Sequence, residues 1–407
     1  MAGADGTVQK GAMSAKARTI TFLLIATAAG MSLWFMTAAI LPDIAAELGL
    51  PAAQQTALTS AVQAGFVAGA LLIAVTGLAD RLDPRRLFAA CAFSTALANA
   101  ALLVIPLDGG LAVALRFLTG ALMAGVYPVG MKIAVGWGIA DRGLLVGAVV
   151  GALAMGKSIP YGLAWAGGAD WRLALGAGSL VASLGAGLVL FTRLGPHHRS
   201  ATGFRPGAIR LALTDRRIRA AYLGYFGHMW ELYIFWAWIG AAATASYIAA
   251  GAAEAASLGK LTAFLAIAAG APACVLAGRL ADRVGKARVA SGAMVASAGL
   301  ALLTAASFGA VPAVTFMLCI LWGIAVIPDS AQFSALVADH APPEWAGSLL
   351  TFQTALGFLL TVVTVQLAPA VAAHFGWQAL LACLAIGPAL GVLAMRPLVR
   401  LDEQAAR

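Results

Sequence analysis

Long apolar stretches recur along the whole chain, and they most restrict what it can fold into. A helix needs about 20 mainly apolar residues to cross the roughly 30 Å hydrocarbon core of a bilayer, and the sequence supplies that length repeatedly between short polar joints. Of the 407 residues, 61% are hydrophobic and 11% are charged, and the mean hydropathy is +0.90. Alternation with a period of two is absent, which argues against an outer-membrane barrel. The sequence therefore predicts an all-α membrane protein.

The apolar stretches divide into two groups of six, separated by the longest polar joint. The predicted spans cover residues 19–41, 55–78, 86–106, 110–135, 143–167, 172–194, 219–247, 256–278, 288–308, 312–336, 345–372 and 378–396. The predicted organisation is therefore a tail 1–18, a first six-helix bundle 19–194, a linker 195–218, a second six-helix bundle 219–396 and a tail 397–407.

The formal net charge of +9 is concentrated on one side of the predicted membrane. With the N-terminus inside, all but five of the 26 Lys and Arg residues fall on the cytoplasmic side, as the positive-inside rule requires. The exceptions are Arg116, Lys132 and Lys157 within helices and Arg172 and Lys260 near the outer side. The basic charge thus indicates topology, and we expect no nucleic-acid partner. The prediction is a monomer in the bilayer of a bacterial inner membrane, with both termini cytoplasmic.

Three short motifs are repeated about half a chain apart. The sequence L-A-D-R follows the second span at Leu78–Arg81 and the eighth span at Leu280–Arg283. The other two echoes pair Tyr127-Pro128 with Ile327-Pro328 and Asp170-Trp171-Arg172 with Gly376-Trp377-Gln378. Such repetition is typical of transport proteins built from duplicated bundles.

Two of these motifs resemble those of a known family. The loop G-L-A-D-R-L-D-P-R-R at Gly77–Arg86 resembles the signature loop of the major facilitator superfamily, with Asp83 in place of the usual glycine. The fourth span, Arg116–Pro128, is similar to the family's R-x-x-x-G…G…P motif. The resemblance covers essentially the whole chain and implies a secondary transporter of two six-helix bundles that works by alternating access. The layout also looks somewhat like nitrate and organic-anion porters, although the glycine-rich nitrate-porter signature is missing from the fifth span.

The resemblance implies that the two loop motifs act as gates. In the family this loop latches the outward-open state, which places Asp80 against the start of the eleventh span and Asp282 against the start of the fifth, near Gly143. A carboxylate at an exposed helix N-terminus is stabilised by about 0.3–1 kcal/mol. Alternatively, the charges only anchor the loops. The predicted gating residues are Gly77, Asp80, Arg81, Arg85, Arg86, Asp282, Arg283 and Gly285.

Ionisable residues inside the predicted spans are few, and each costs about 2.5–3.5 kcal/mol at the bilayer centre. Glu231 lies near the middle of the seventh span, one turn from His228. An apolar environment favours a neutral carboxyl, so Glu231 is a candidate proton-coupling group that His228 assists. The alternative is a structural Glu–His pair. Asp329 is either a further coupling group or a cap for backbone freed by Pro328.

Lys157 in the fifth span indicates an anionic substrate, with an ion pair to Glu231 as the competing explanation. The resemblance puts the first and seventh spans beside a central cavity, so we expect the aromatic face of the seventh span to contact substrate. Arg116 either lines that cavity or bonds neighbouring helices. The predicted substrate-binding residues are Lys157, Arg116, Tyr127, Tyr225, Trp34, Phe235, Trp238 and Gln332.

Together these features predict a secondary active transporter of a small anion, driven by protons. The first alternative is a drug–proton antiporter, although the fifth span lacks the G-P-x-x-G-G pattern of that class. The second is a non-transporting membrane sensor. No nucleotide-binding loop, metal-ligand cluster, cysteine pair or nucleophile–base pair is found in the sequence, so we expect no cofactor, no metal and no enzymatic activity.

Overall fold

The computed structural model describes residues 2–138, 141–168, 170–198 and 205–405, and these ranges are helical almost throughout. The helices of the first half are α1 Ala2–Met31, α2 Met36–Leu48, α3 Ala52–Thr76, α4 Leu78–Arg81, α5 Pro84–Ala101, α6 Gly110–Met123, α7 Tyr127–Val135, α8 Arg142–Ala166 and α9 Trp171–Leu188. Those of the linker and second half are α10 Ile209–Thr214, α11 Arg216–Ala249, α12 Ala255–Val284, α13 Lys286–Ala306, α14 Pro312–Val326, α15 Ser330–His340, α16 Pro343–Leu384 and α17 Ile386–Ala405.

The helices combine into the twelve predicted spans. Within the described residues, ten helical stretches are long and apolar enough to cross a membrane. One of them, Glu344–Gln404, is 61 residues long and holds two spans, because it bends at Gly376, whose φ is 83°. Pro84–Ala101 completes the set as the third span. The prediction of an all-α membrane fold of two six-helix bundles is confirmed.

Three spans predicted as continuous helices are interrupted in the structure. The first span is broken at residues 32–35, the fourth between Met123 and Tyr127, and the tenth between Val326 and Ser330. Pro128 and Pro328 accompany the second and third breaks, where proline removes a helical hydrogen bond. The first break contains neither proline nor glycine, so its cause lies in another part of the fold.

The two halves meet along two pairs of helices, the second span with the eleventh and the fifth with the eighth. The fifth and eighth spans approach closely because glycines of the fifth face the eighth. A Cβ atom built on Gly151 would lie 2.7 Å from the Ala271 carbonyl oxygen, and one on Gly147 would lie 3.1 Å from that of Cys274. Small residues permit such backbone contact in membrane bundles.

The outer surface of the bundle is apolar, as a bilayer requires. Many large aliphatic side chains are more than half exposed and cover the side of the molecule that faces away from the interface. Examples are Leu72, Val75, Leu97, Leu184 and Leu390. A contiguous apolar surface of this kind marks contact with a membrane in place of water.

Candidate functional site

The break in the first span is fixed by Arg116 of the fourth span. The Arg116 guanidinium is fully buried, and its Nη2 donates to the backbone oxygens of Leu33 at 3.0 Å and Trp34 at 2.9 Å. Its Nη1 donates to the side-chain oxygen of Asn99 at 3.3 Å. Carbonyl groups released from a helix inside a membrane need other donors. Of the two roles predicted for Arg116, its geometry is that of bonding neighbouring helices.

The broken segment brings two aromatic rings to Lys157. The Lys157 Nζ lies 4.1 Å from the ring centroid of Trp34 and 5.7 Å from that of Phe35. Two rings of the seventh span complete the set, with Tyr233 at 4.1 Å and Trp236 at 4.3 Å. We call Trp34, Phe35, Tyr233 and Trp236 the aromatic cage. An ammonium over desolvated rings gains about 2 kcal/mol or more per favourable contact.

The aromatic cage joins the two halves of the protein. Trp34 and Phe35 belong to the first half, Tyr233 and Trp236 to the second, and the Trp34 and Tyr233 ring centroids are 5.7 Å apart. Phe66 of the second span and Phe358 of the eleventh extend the contact, with centroids 4.4 Å apart. Substrate can therefore reach Lys157 only if rings of opposite halves separate.

A hydrogen bond next to the cage also connects the fifth and seventh spans. The Tyr161 hydroxyl donates to the backbone oxygen of Trp236, and Tyr161 is itself buried. One helical turn separates Tyr161 from Lys157, so both side chains lie on one face of the fifth span and contact the seventh span of the opposite half. This contact holds the cage residues of the seventh span in register with Lys157.

Lys157 has hydrogen-bonding capacity that its surroundings do not use. Its Nζ donates to the Tyr233 hydroxyl, and no ion pair in the described part of the chain includes it. The Trp34 indole Nε1 is buried and has no hydrogen-bond partner among the described residues. The predicted alternative, an ion pair with Glu231, is wrong, because the Glu231 carboxylate has other partners.

Glu231 lies inside the second half. Its Oε1 accepts from the Ser297 hydroxyl at 2.6 Å and from the Trp322 Nε1 at 2.6 Å. The Glu231 side chain is buried together with Ser297 and Trp322, which come from the ninth and tenth spans. Two neutral donors therefore hold this carboxylate, and no cation is among the partners in the described residues.

His228 pairs with Asp329, so the predicted Glu231–His228 pair is wrong. The His228 Nδ1 lies 2.9 Å from the Asp329 Oδ1, and both side chains are at most 3% exposed. Asp329 precedes helix α15 without a side-chain cap hydrogen bond, and its alternative role as a cap for backbone freed by Pro328 stays a prediction. Proton-coupling roles for Glu231, His228 and Asp329 stay predictions.

The seventh span turns a different face to the first half than the sequence indicated. The Phe235 ring packs on Trp322 with centroids 4.9 Å apart, and Trp238 Nε1 donates to the Val365 backbone oxygen at 3.1 Å. Tyr225 packs against Gly357 of the eleventh span. These predicted substrate contacts lie within the second half, whereas Tyr233 and Trp236 face the first.

Two further predicted substrate residues lie at the breaks of the fourth and tenth spans. Tyr127 begins helix α7 and is half-buried, while Gln332 lies in the first turn of α15 and is buried. Their substrate-binding role stays a prediction.

Of the two predicted gating loops, the second has its aspartate, Asp282, within the described residues. The Asp282 carboxylate oxygens would lie 3.1 and 3.2 Å from a Cβ atom built on Gly143, at the N-terminus of the fifth span. This is the placement predicted for Asp282, and its gating role stays a prediction. The side chain of Asp80, the corresponding residue of the first motif, lies outside the described residues.

The remaining gating residues are tied within their own half or exposed. Arg85 donates to the Asp83 carboxylate at 2.6 and 3.0 Å and to the Thr192 backbone oxygen at 3.2 Å. The hydrogen bond from Arg85 holds the pKa of Asp83 below its ordinary value. Gly77 and Gly285 end the second and eighth spans with φ of 64° and 100°, which favours glycine. The exposed members are Arg81, Arg86 and Arg283.

An ion pair at the opposite end of the interface was missed by the sequence analysis. The Lys260 Nζ lies 2.6 Å from the Asp43 Oδ2 and donates to the Gly168 backbone oxygen at 2.9 Å. Lys260 belongs to the eighth span, whereas Asp43 and Gly168 belong to the first half. The halves are thus in contact at both ends of the eighth span, through Lys260 near its start and Asp282 near its end.

Most of the cage was also missed, although one signal was present. Tyr233 and Trp236 are three residues apart, which puts them on one helical face different from that of Glu231. Phe35, Phe66 and Phe358 carry no comparable signal, because single phenylalanines in apolar spans are most often core or lipid contacts.

Comparison with known proteins agrees with this architecture. The sequence profile described as Major Facilitator Superfamily matches residues 23–364. A crystal structure of a point mutant of the nucleoside transporter NupG is similar to the chain, with a TM-score of 0.69 and 13% identity over 93% of this chain and 99% of that one. No curated protein matches the sequence. The chain, with its two six-helix halves and a profile match over most of its length, belongs to the major facilitator superfamily.

Proposed function

We propose that the chain is a secondary active transporter that moves a small anion by alternating access, with protons as the coupling ion. The observation that carries the proposal is Lys157, a fully buried amine between the two halves that forms no ion pair within the described residues. A lone buried cation is costly in a membrane, and an anionic substrate would neutralise it.

The contacts at the two ends of the eighth span support alternating access. Lys260 contacts the first half at the outer end, and Asp282 contacts it at the cytoplasmic end. On this proposal each contact breaks in turn, so the aromatic cage opens to one side while the other side remains closed. The Asp282 side chain is exposed, so the contact at that end is weak enough to break thermally.

Proton coupling is assigned to the buried carboxylates of the second half. Glu231 and Asp329 are each 2% exposed. Glu231 lies on the seventh span, which also carries Tyr233 and Trp236 of the cage, and Asp329 directly precedes α15, which packs against that span. His228 lies next to Asp329, with 2.9 Å between its Nδ1 and the Asp329 Oδ1, and is therefore assigned to assist that carboxylate. The same proposal includes three further assignments. The protein lies in the bacterial inner membrane with both termini in the cytoplasm, it is a monomer, and it is related to nitrate and organic-anion porters.

Transport by reconstituted protein tests the proposal. We expect proteoliposomes to accumulate a radiolabelled anion from a panel of inorganic anions and carboxylates when a pH gradient is imposed. Lys157→Met, which keeps side-chain length without charge, abolishes this uptake, whereas the control Lys16→Met retains it. Uptake of every panel anion at the level of protein-free liposomes would contradict the proposal.

A drug–proton antiporter is the second candidate, favoured by the ring contacts of the cage. It predicts that cells expressing the protein resist hydrophobic cations and that Lys157→Met does not reduce the resistance. A nucleoside, the substrate class in the name of the similar structure, is neutral and would leave Lys157 without a counter-charge. A membrane sensor, in contrast, would bind ligand without translocating it.

A further inference from the structure

The donors and acceptors around Lys157 are unequal in number. An ammonium has three hydrogens to donate and no acceptor, and the Tyr233 hydroxyl takes one of them. Because that hydroxyl accepts from Lys157, its own hydrogen is left for another acceptor. The Trp34 Nε1, which only donates, is without a partner among the described residues. The cage therefore presents surplus donors from three side chains at one place.

A carboxylate can accept hydrogen bonds from these unused donors. When ionised it accepts hydrogen bonds through two oxygens and donates none. Hydrogen bonds to an ionised group are also stronger than those between neutral groups. A cation, in contrast, would add donors to a site that already has too many and would be repelled by Lys157.

The number of available cations limits the ligand to one negative charge. Among the described residues the buried lysine and arginine side chains are those of Lys157 and Arg116, and the Arg116 guanidinium already donates to Leu33, Trp34 and Asn99. A second carboxylate would have to lose its hydration among rings without compensation. The site therefore fits a monocarboxylate better than a dicarboxylate.

The walls of the site are aromatic on both sides of the interface. Trp34 lies 5.5 Å from Phe358 and 4.9 Å from Phe66 between centroids, and Phe35 lies 6.1 Å from Trp236. Rings at these distances prefer offset or edge-to-face contact, and a ligand ring between them keeps this geometry when the halves part. An aliphatic body of the same size fills the space without these ring contacts.

We infer that the cage selects aromatic monocarboxylates, with the carboxylate on Lys157, Trp34 and Tyr233 and the ring between the aromatic walls of the two halves. The inference rests on the proposed anion transport and names its substrate class. Each aromatic contact strengthens binding roughly 2- to 10-fold beyond the area it buries. Several such contacts should make the preference for an aromatic over a saturated ring at least about tenfold.

Binding to the purified full-length protein in detergent tests this inference without the complication that aromatic acids cross lipid unaided. The probes are benzoate, cyclohexanecarboxylate, benzene-1,4-dicarboxylate and phenyltrimethylammonium, and the measurement is thermal stabilisation as a function of probe concentration. We expect benzoate to bind at least about tenfold more tightly than each of the other three. Lys157→Met should lose benzoate binding and Lys16→Met should retain it.

A second variant keeps the test valid should Lys157→Met fail to fold. Trp34→Phe preserves a ring and removes the Nε1 donor, so we expect weaker benzoate binding, measured as stabilisation relative to the unliganded form of the same variant. Equal binding of benzoate and cyclohexanecarboxylate, both dependent on Lys157, would overturn the aromatic specificity and leave anion transport standing. Stabilisation by phenyltrimethylammonium alone would overturn both, and stabilisation by none of the probes would overturn the inference.

Discussion

Replacing Arg116 by methionine tests whether this residue builds the site or binds substrate. The substitution removes three hydrogen bonds and, among the described residues, leaves the Trp34 carbonyl oxygen and the Asn99 Oδ1 buried without a donor, whereas the Leu33 oxygen keeps a long bond of 3.5 Å from the Met36 backbone N–H. Each orphaned buried group costs about 1–3 kcal/mol, so the two orphaned oxygens cost about 2–6 kcal/mol together. Loss of the buried charge offsets part of this, because an isolated ion is itself costly to bury.

An exposed arginine of the same half supplies the matched control. Arg172 donates to the Glu47 carboxylate at 2.7 and 3.0 Å, lengths similar to those at Arg116, but the two side chains are 50% and 44% exposed. Arg172→Met should therefore cost only about 0–1 kcal/mol. The two variants thus compare three buried bonds to neutral oxygens with an exposed ion pair.

The assay is chemical unfolding of the purified protein in mixed micelles, followed together with ligand affinity. We expect Arg116→Met to lower the free energy of unfolding by several times the effect of Arg172→Met. Arg116→Lys should be intermediate, because one nitrogen cannot reach all three acceptors. A stable Arg116→Met that has lost ligand binding would refute the reasoning and assign Arg116 to the substrate.

Three further perturbations address coupling, gating and packing. Glu231→Gln should keep exchange transport and lose uptake driven by a pH gradient, because glutamine accepts the same bonds but carries no proton; equal loss of both would contradict the coupling role. Lys260→Met should lengthen the spin-label distance between the halves at the Lys260 end of the eighth span, and Asp282→Asn should lengthen it at the Asp282 end, so unchanged distances would count against both contacts. Gly151→Ala should destabilise the protein because its Cβ would lie 2.7 Å from a backbone oxygen, whereas Gly292→Ala, with open space around it, should not; equal melting temperatures would contradict the packing argument.

The sequence predicted the helices well because hydropathy is a local property. Span length and the side of each loop follow from composition and charge within a few tens of residues. The break at residues 32–35 could not be found in this way. It depends on Arg116, more than 80 positions along the chain, whose guanidinium replaces the lost helical hydrogen bonds.

The candidate site was predicted in part, and the errors have one cause. Lys157 and Trp34 were found because a lysine is rare in an apolar span and because the resemblance placed the first span centrally. Glu231 and His228 share a face of the seventh span by spacing. Different neighbouring helices pack at the two positions, so Glu231 contacts Ser297 and His228 contacts Asp329. Helical periodicity defines faces, whereas packing of the neighbouring spans decides which face meets the opposite half.

On the proposed mechanism, the two halves carry buried groups of opposite charge, which explains why substrate movement and proton movement would be coupled. The first half contributes Lys157 to the interface region and the second contributes Glu231 and Asp329. When substrate binds Lys157 and protons bind Glu231 and Asp329, these three groups together carry no net charge through the rocking step. A protein loaded with substrate alone retains buried negative charge, at a cost of about 2.5–3.5 kcal/mol per group on insertion scales. Because 1.4 kcal/mol is a factor of ten, each such carboxylate would make the partly loaded form cross roughly 100-fold less often, which is enough to link the two fluxes without direct contact between the sites.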